Sequence, residues 1–236
     1  MPGAAILRVS AHGTTVVYAS HVALDPHPMA EVARIPKGDV LVVRTDHGHA
    51  DGPVPKRAEA LAQVVEVARR TLSSGRIPVF LVALMGQSQE VVRALVDAGV
   101  PVLVHRAVAA VNREYRVLGY EPGLVRQFRG VPPEDHALVL PETLRFGSVV
   151  TQLDKAHLVW LSGQSIKPAL QERMRVDESI ALTGHLDPDG IMSLIEKTGV
   201  TSVVTVGQGA DEVAMLVRRS GVEASALQAE VQLQMF

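Results

Sequence analysis

A run of metal-ligating residue types, His47-Gly-His49-Ala-Asp51, follows a predicted strand. Two imidazoles two residues apart in an extended turn can face one ion, and a carboxylate adds a third ligand. Glycine stands at position 52, where a closing histidine is needed to complete the motif. The run therefore predicts either a metal site or a polar surface loop, and the sequence leaves both open.

Two other histidines extend the metal hypothesis. His21 stands at the end of a predicted strand, and His185 precedes a predicted helix. The candidate ligands for zinc or manganese are therefore His21, His47, His49, Asp51 and His185. The alternative is structural, because strand-end histidines are readily satisfied by hydrogen bonds. His27 is interpreted as an exposed loop residue, and Asp187 as a helix N-cap.

A glycine-containing turn provides a second kind of candidate site. In the run MGQSQE (85–90), Gly86, Gln87 and Ser88 open a predicted helix after a predicted strand. Backbone amides at such a helix start can receive a phosphate. The alternative is an ordinary strand–helix turn. Tyr115 and Trp160 are expected in the core.

Composition limits the classes of function. The chain has 236 residues, 47% of them hydrophobic, a net charge of −2 and no cysteine. Disulfides, thiolate zinc sites and cysteine nucleophiles are excluded, and no strongly basic footprint for nucleic acid is present. The start of the chain lacks the pattern of a signal peptide, and no apolar run approaches the about 18 residues of a membrane span. We expect a cytoplasmic protein without a membrane partner.

The elements that position these residues alternate between strands and helices. Strands are predicted near 14–19, 39–43, 77–84, 101–105, 137–141, 157–161, 179–183, 201–206 and 223–235. Helices are predicted from Arg57 to about residue 74, over 91–99, through Tyr115, from Pro188 to Gly199 and over 211–219. The segment 120–136 is expected to be a loop, and 163–178 is a polar stretch between predicted elements. This alternation predicts an α/β fold with parallel strands.

Six segments carry a family resemblance when they are taken in order. They are VVYASHVALDPHP (16–28), GDVLVVRTDHG (38–48), PVFLVALMGQSQEVVRAL (78–95), PVLVHRAVAAVNREY (101–115), TGHLDPDGIMSLIEKTG (183–199) and VVTVGQG (203–209). Their order resembles the second half of metallo-β-lactamase/β-CASP nucleases, such as ligase-associated exonucleases and mRNA 3′-end processing nucleases. The resemblance implies a partial metallo-β-lactamase-like sheet over 1–55, a β-CASP-like parallel strand–helix insert over 56–178, and a return to the first half over 179–236.

The resemblance also implies which ligands this chain has lost. The family's metal-bridging aspartate corresponds to His21, its next acidic residue to Arg44 and its last histidine to Gln208, while His185 matches a family histidine. The family's His-x-His-x-Asp-His segment has no counterpart ahead of His21. A two-metal hydrolase needs several carboxylate and imidazole ligands around an activated water. Arg44 repels cations at its position and becomes a candidate phosphate contact.

We therefore expect a non-catalytic β-CASP-like protein that takes part in RNA or DNA processing through binding or as a partner subunit. No catalytic residue is assigned and no cofactor is expected. A sheet that lacks half of the family's sandwich exposes one face, so we expect a homo-oligomer or a complex with a full-length β-CASP relative. The alternatives are a hydrolase with zinc or manganese at the histidine-rich site, and a structural assembly subunit.

Overall fold

The computed structural model of the chain describes residues 2–24, 27–45, 55–130, 134–163 and 168–227. These residues divide into two compact units. The first unit draws on Met1–Gly3, Pro26–Glu31 and Asp51–Gly184, and the second on Ala4–Asp25, Val32–Ala50 and His185–Phe236. Each unit is thus assembled from separate stretches of the chain.

The described strands and helices alternate along most of the chain. The strands are β1 (Leu7–Ala11), β2 (Thr14–Ala19), β3 (Val40–Arg44), β4 (Ile77–Val82), β5 (Val102–Val104), β6 (Arg126–Gln127), β7 (Ala137–Pro141), β8 (Ala156–Leu161), β9 (Glu178–Ile180), β10 (Ser202–Val206) and β11 (Glu223–Ala226). The helices are α1 (Arg57–Ser73), α2 (Gln87–Asp97), α3 (Arg106–Val117), α4 (Ser148–Thr151), α5 (Pro168–Met174), α6 (Pro188–Thr198) and α7 (Ala210–Arg219), with a 3-10 helix at Glu142–Leu144. The predicted α/β class is confirmed.

The first unit contains a six-stranded parallel sheet in the order β6-β5-β7-β4-β8-β9. Every residue of β4 is buried, as expected for a continuous apolar strand in the middle of a sheet with two covered faces. Helices α1, α2 and α3 pack on one face around Phe80 and Val82. Residues of α4 and α5 pack on the other face around Val79, Leu81 and Trp160.

The second unit contains a five-stranded sheet in the order β1-β2-β3-β10-β11. Strands β2, β3, β10 and β11 are parallel, and β1 pairs with β2 in the antiparallel direction. Helices α6 and α7 cover one face, where Leu41, Val43 and Val203 are almost completely buried. Alternation along the strands directs this apolar set to one side.

The opposite face of the five-stranded sheet is apolar and only partly covered. Leu7 and Val9 are 56% and 60% exposed, and they pair with Tyr18 and Val16 of β2. The same face continues through partly exposed residues of β3 and β10, namely Val40, Val42, Val204 and Val206. The expectation of one exposed sheet face therefore agrees with the described strands.

Several element predictions were wrong. The two-residue strand β6 lies within the predicted loop over 120–136, and helix α5 lies in the polar stretch 163–178, where no helix was predicted. The exposed strand β1 had no sequence prediction, because its five residues include no buried one. Strand β9 pairs with β8 and so belongs to the six-stranded sheet, not to the other unit.

In the part of the chain that the structure describes, no helix is both long and apolar enough to cross a membrane.

Candidate functional site

The carboxyl ends of three parallel strands in the second unit bring three of the positions singled out by the resemblance to one sheet edge. Ala19 of β2 pairs with Val43 of β3, and Arg44 of β3 pairs with Val206 of β10. His21 follows β2 by two residues and Gln208 follows β10 by two residues. Parallel strands end at a common edge, so His21, Arg44 and Gln208 lie along this edge. We call it the carboxyl edge.

A buried threonine fixes the backbone at the carboxyl edge. The amide of Thr45 donates to the carbonyl of Val206 at 2.9 Å. Its hydroxyl lies 3.2 Å from the same carbonyl and 3.3 Å from the carbonyl of Gln208. Thr45 is completely buried, so the end of β3 and the loop after β10 are held together from inside.

Two of the candidate metal ligands lie next to each other in the second unit. The ring centroids of His21 and His185 are 4.3 Å apart, with the planes tilted by 46°. The Nδ1 atom of His21 also lies 3.0 Å from the hydroxyl of Ser20. His185 comes to this place because it precedes α6, whose N-cap Asp187 accepts a hydrogen bond from the amide of Gly190 at 2.7 Å. The N-cap prediction for Asp187 is confirmed.

The described residues supply only part of a metal centre. Two imidazoles stand close together, but Arg44 brings a positive charge to the same edge and Gln208 brings an amide. Structural and catalytic zinc sites use at least three protein ligands. Within the described ranges, no group of three or more histidine, aspartate or glutamate side chains is placed to hold an ion. His47, His49 and Asp51 lie outside the described residues, so the metal hypothesis for them stays a prediction.

The turn at Met85–Glu90 in the first unit is closed by its own side chains. The amide of Gly86 donates to Oε1 of Gln89 at 2.8 Å, and the amide of Ser88 donates to the carbonyl of Ala83 at 3.2 Å. Two of the amides predicted to receive a phosphate are therefore already hydrogen-bonded.

The side chains of the same turn are also engaged. Gln87 accepts from the amide of Ala83 at 2.7 Å and donates to the carbonyl of Leu182 at 2.8 Å. The fully buried Ser88 donates to the carbonyl of Leu84 at 2.6 Å. In this arrangement Gln87 and Ser88 brace the turn. Phosphate contact by Gly86, Gln87 or Ser88 stays a prediction. For Ser88, the hydrogen bonds of the turn favour the structural alternative.

A buried polar cluster lies behind this turn. Gln89 is completely buried and donates to Oδ1 of Asn112 at 2.9 Å. Burial raises the pKa of Tyr115 to about 12, and the Glu90 charge adds to the rise while the backbone of Gly86 opposes it. Neither Nδ2 of Asn112 nor the Tyr115 hydroxyl makes a hydrogen bond of ordinary geometry with the described residues. Tyr115 is in the core as predicted.

An ion-pair network was missed from the sequence. Glu90 is 4% exposed and lies against His27 and Arg57, with Nη1 of Arg57 2.5 Å from its carboxylate. Arg57 also donates to the carbonyl of Thr183 at 2.8 Å. The prediction of an exposed His27 was wrong, because its side chain is 8% exposed and its Nε2 contacts Glu90. No local sequence pattern marked this network, because its members are far apart in the chain.

The comparisons with known proteins give one similar sequence and no family. No family model matches the chain. The chain is 23% identical over 230 residues to a protein named probable DNA ligase from Opitutus terrae. The alignment covers 98% of this chain and 22% of that protein. Nearly the whole chain thus resembles about one fifth of a much longer relative.

Proposed function

We propose that the protein takes part in nucleic-acid processing as a non-catalytic relative of metallo-β-lactamase/β-CASP proteins, and that it binds phosphate at the carboxyl edge. The observation that carries this proposal is the position of Arg44, in register with Val206 and on the same edge as His21. A guanidinium offers paired donors to a phosphate and repels a divalent ion. The edge therefore suits a phosphodiester better than a metal pair.

The similar sequence favours nucleic acid as the source of the phosphate that binds at the carboxyl edge. The relative is named a probable DNA ligase, and the resembling segment spans almost all of this chain. A net charge of −2 argues against a broad electrostatic attraction, so binding would rest on a few local contacts. We therefore propose that the protein neutralises only a small number of phosphates when it binds nucleic acid.

A binding titration tests the proposal. Labelled single-stranded DNA, nicked duplex DNA and single-stranded RNA are titrated with protein over a salt series, with fluorescence anisotropy as the readout. Each phosphate contact adds to the salt slope, so Arg44→Gln should weaken binding and lower the slope by about 1. Arg113→Gln, an exposed arginine on α3 in the other unit, is the matched control and should change neither. The absence of binding at low salt removes the nucleic-acid claim and leaves a structural subunit.

A metal-dependent hydrolase is the second candidate, and the contact between His21 and His185 favours it. Elemental analysis of protein purified without an affinity tag separates the two candidates. Stoichiometric zinc or manganese that is lost in His21→Ala and in the His47→Ala/His49→Ala double variant, together with manganese-dependent cleavage of DNA or RNA, would replace the non-catalytic proposal. Nucleic-acid binding by a protein that contains no metal and cleaves neither DNA nor RNA supports the non-catalytic proposal.

A further inference from the structure

A cavity of about 320 Å³ opens at the carboxyl ends of β4, β5 and β7 in the first unit. Its lining includes Leu84 after β4, His105 after β5, and Pro141, Glu142, Thr143 and Leu144 after β7. Ligand pockets have volumes from about 300 Å³ upward. None of these residues was a candidate from the sequence.

The sheet topology places this cavity at a switch point. Strand β7 lies between β5 and β4. After β4 and β5 the chain passes to α2 and α3 on one face, whereas after β7 it passes through the 3-10 helix to α4, which packs on the other face. Loops that leave in opposite directions open a crevice, which is where parallel α/β sheets bind ligands.

Glu142 is a carboxylate held in place at the rim of this cavity. Its Oε2 accepts a hydrogen bond from the indole Nε1 of Trp160 at 2.7 Å, and Trp160 is 5% exposed. A carboxylate has about four lone-pair positions, so Glu142 can still accept further hydrogen bonds through both oxygens. The buried indole thus holds an acceptor-only group in the lining of the cavity.

His105 supplies a donor in the lining of the same cavity. Its Nδ1 accepts from the amide of Ala107 at 3.3 Å, as the N-cap of α3. The proton of the neutral ring is therefore on Nε2, which leaves an N–H donor for a ligand in the cavity. Burial, together with the charge of Arg106, lowers the pKa of His105 and keeps this neutral form.

We propose that this cavity binds the guanine base of a nucleotide. Leu84, Pro141 and Leu144 give it apolar walls for a planar ring. Guanine carries two adjacent N–H donors that match one carboxylate, and beside them an oxygen that accepts from His105. Adenine and cytosine present a single amino group to such a carboxylate, and uracil presents no amino group. The proposal rests on the first unit alone and does not depend on phosphate binding at the carboxyl edge.

Calorimetric titration with the 5′-monophosphates of guanosine, adenosine, cytidine and uridine tests this proposal. Saturable binding of the guanosine nucleotide, about tenfold or more tighter than the other three, is the expected result. The chain has one tryptophan, so the fluorescence of Trp160 should change with the same midpoint. No saturable binding, or equal affinity for all four nucleotides, overturns the proposal.

Variants then assign the contacts. Glu142→Gln keeps an acceptor for Trp160 but turns an amide NH2 toward the base, so it should lower the affinity at least about tenfold. Glu134→Gln removes an exposed carboxylate that pairs with Lys155 and is the matched control. His105→Asn retains an N-capping side chain and removes the Nε2 donor, so it should also weaken binding. This second variant tests the proposal even where Glu142→Gln does not fold. Unchanged affinity in both cavity variants overturns the assignment.

Discussion

Glu90 carries a buried charge that the protein must compensate. Its carboxylate is 4% exposed and contacts both Arg57 and His27. Removal of one partner of a buried ion pair leaves the other charge uncompensated, at a cost of about 3–5 kcal/mol when both are fully buried. Arg57 is 33% exposed, so water reduces the penalty. We expect Glu90→Gln to lower the free energy of unfolding by about 1–3 kcal/mol.

Urea unfolding measures this loss, and the same helix offers a control. Asp97 of α2 pairs with Arg93 at 2.7 Å, but both side chains are exposed. Such surface pairs contribute less than about 1 kcal/mol, so Asp97→Asn should have a small effect. Equal losses of unfolding free energy in Glu90→Gln and Asp97→Asn would show that the buried Glu90 network stabilises the protein no more than the surface pair does.

Tyr115 should make the folded protein less stable at alkaline pH. Its pKa in the folded protein is raised to about 12 from an ordinary 10.0. A raised pKa means that the folded state binds the phenol proton more tightly, so its stabilisation is complete below pH 10 and is lost as the pH rises toward 12. The loss should reach about 2–3 kcal/mol.

Tyr115→Phe should remove this pH-dependent loss. At neutral pH the variant should be as stable as the wild type or slightly more stable, because the buried hydroxyl makes no ordinary hydrogen bond with the described residues. Unfolding free energies at several pH values above 9 measure the difference. Tyr120→Phe, whose ring lies 6.0 Å from that of Tyr115, is the control. Parallel pH profiles of wild type and Tyr115→Phe would contradict the prediction.

Single-residue roles could be predicted where a local rule decides them. The N-cap role of Asp187 follows from the residue type and from Pro188 beside it. The partners of Glu90 could not be predicted, because Arg57 and His27 lie 33 and 63 positions away in the chain. The register of the parallel strands, which places Arg44 beside Val206, is also a long-range fact.

At the scale of elements, periodicity located the long helices and the buried strands. The predicted bounds of β2 and β7 agree with the structure, and α1 begins at Arg57 as predicted. The missed elements are short or exposed: β6 has two residues and α5 has seven. Such elements carry too few turns or alternations for a pattern to stand out. Their place in the fold is set by the neighbouring strand or by the packing of Leu170 and Met174 on the sheet.

The turn between β4 and α2 depends on one glycine. Gly86 has φ of 82° and ψ of −71°, a backbone conformation that residues other than glycine rarely adopt. Gly86→Ala should therefore cost about 1–3 kcal/mol of unfolding free energy. Gly184→Ala is the matched control in the same unit, because its added Cβ meets nothing within 4 Å and its φ is not positive. Thermal unfolding compares the two, and similar shifts would contradict a strained turn at Gly86.

At the scale of the whole molecule, the two sheets differ in how they are covered. The six-stranded sheet has helices on both faces, while the five-stranded sheet has helices on one face and a partly exposed apolar face on the other. A largely apolar sheet face of this kind can pack against the same face of a second copy, as in a β-sandwich. We expect the protein to self-associate through this face.

Strand β1 allows a test in which position alone changes. Val9 is on the apolar face, paired with Val16, while the neighbouring Ser10 points to the other face and is also exposed. Val9→Glu places a charge into the expected contact and should give a monomer, because an unpaired buried carboxylate is costly. Ser10→Glu adds the same charge outside it and should leave the dimer intact. Sedimentation velocity over a concentration series measures both. A wild-type monomer at the highest soluble concentration would contradict self-association and would point to a different protein as the occupant of this face.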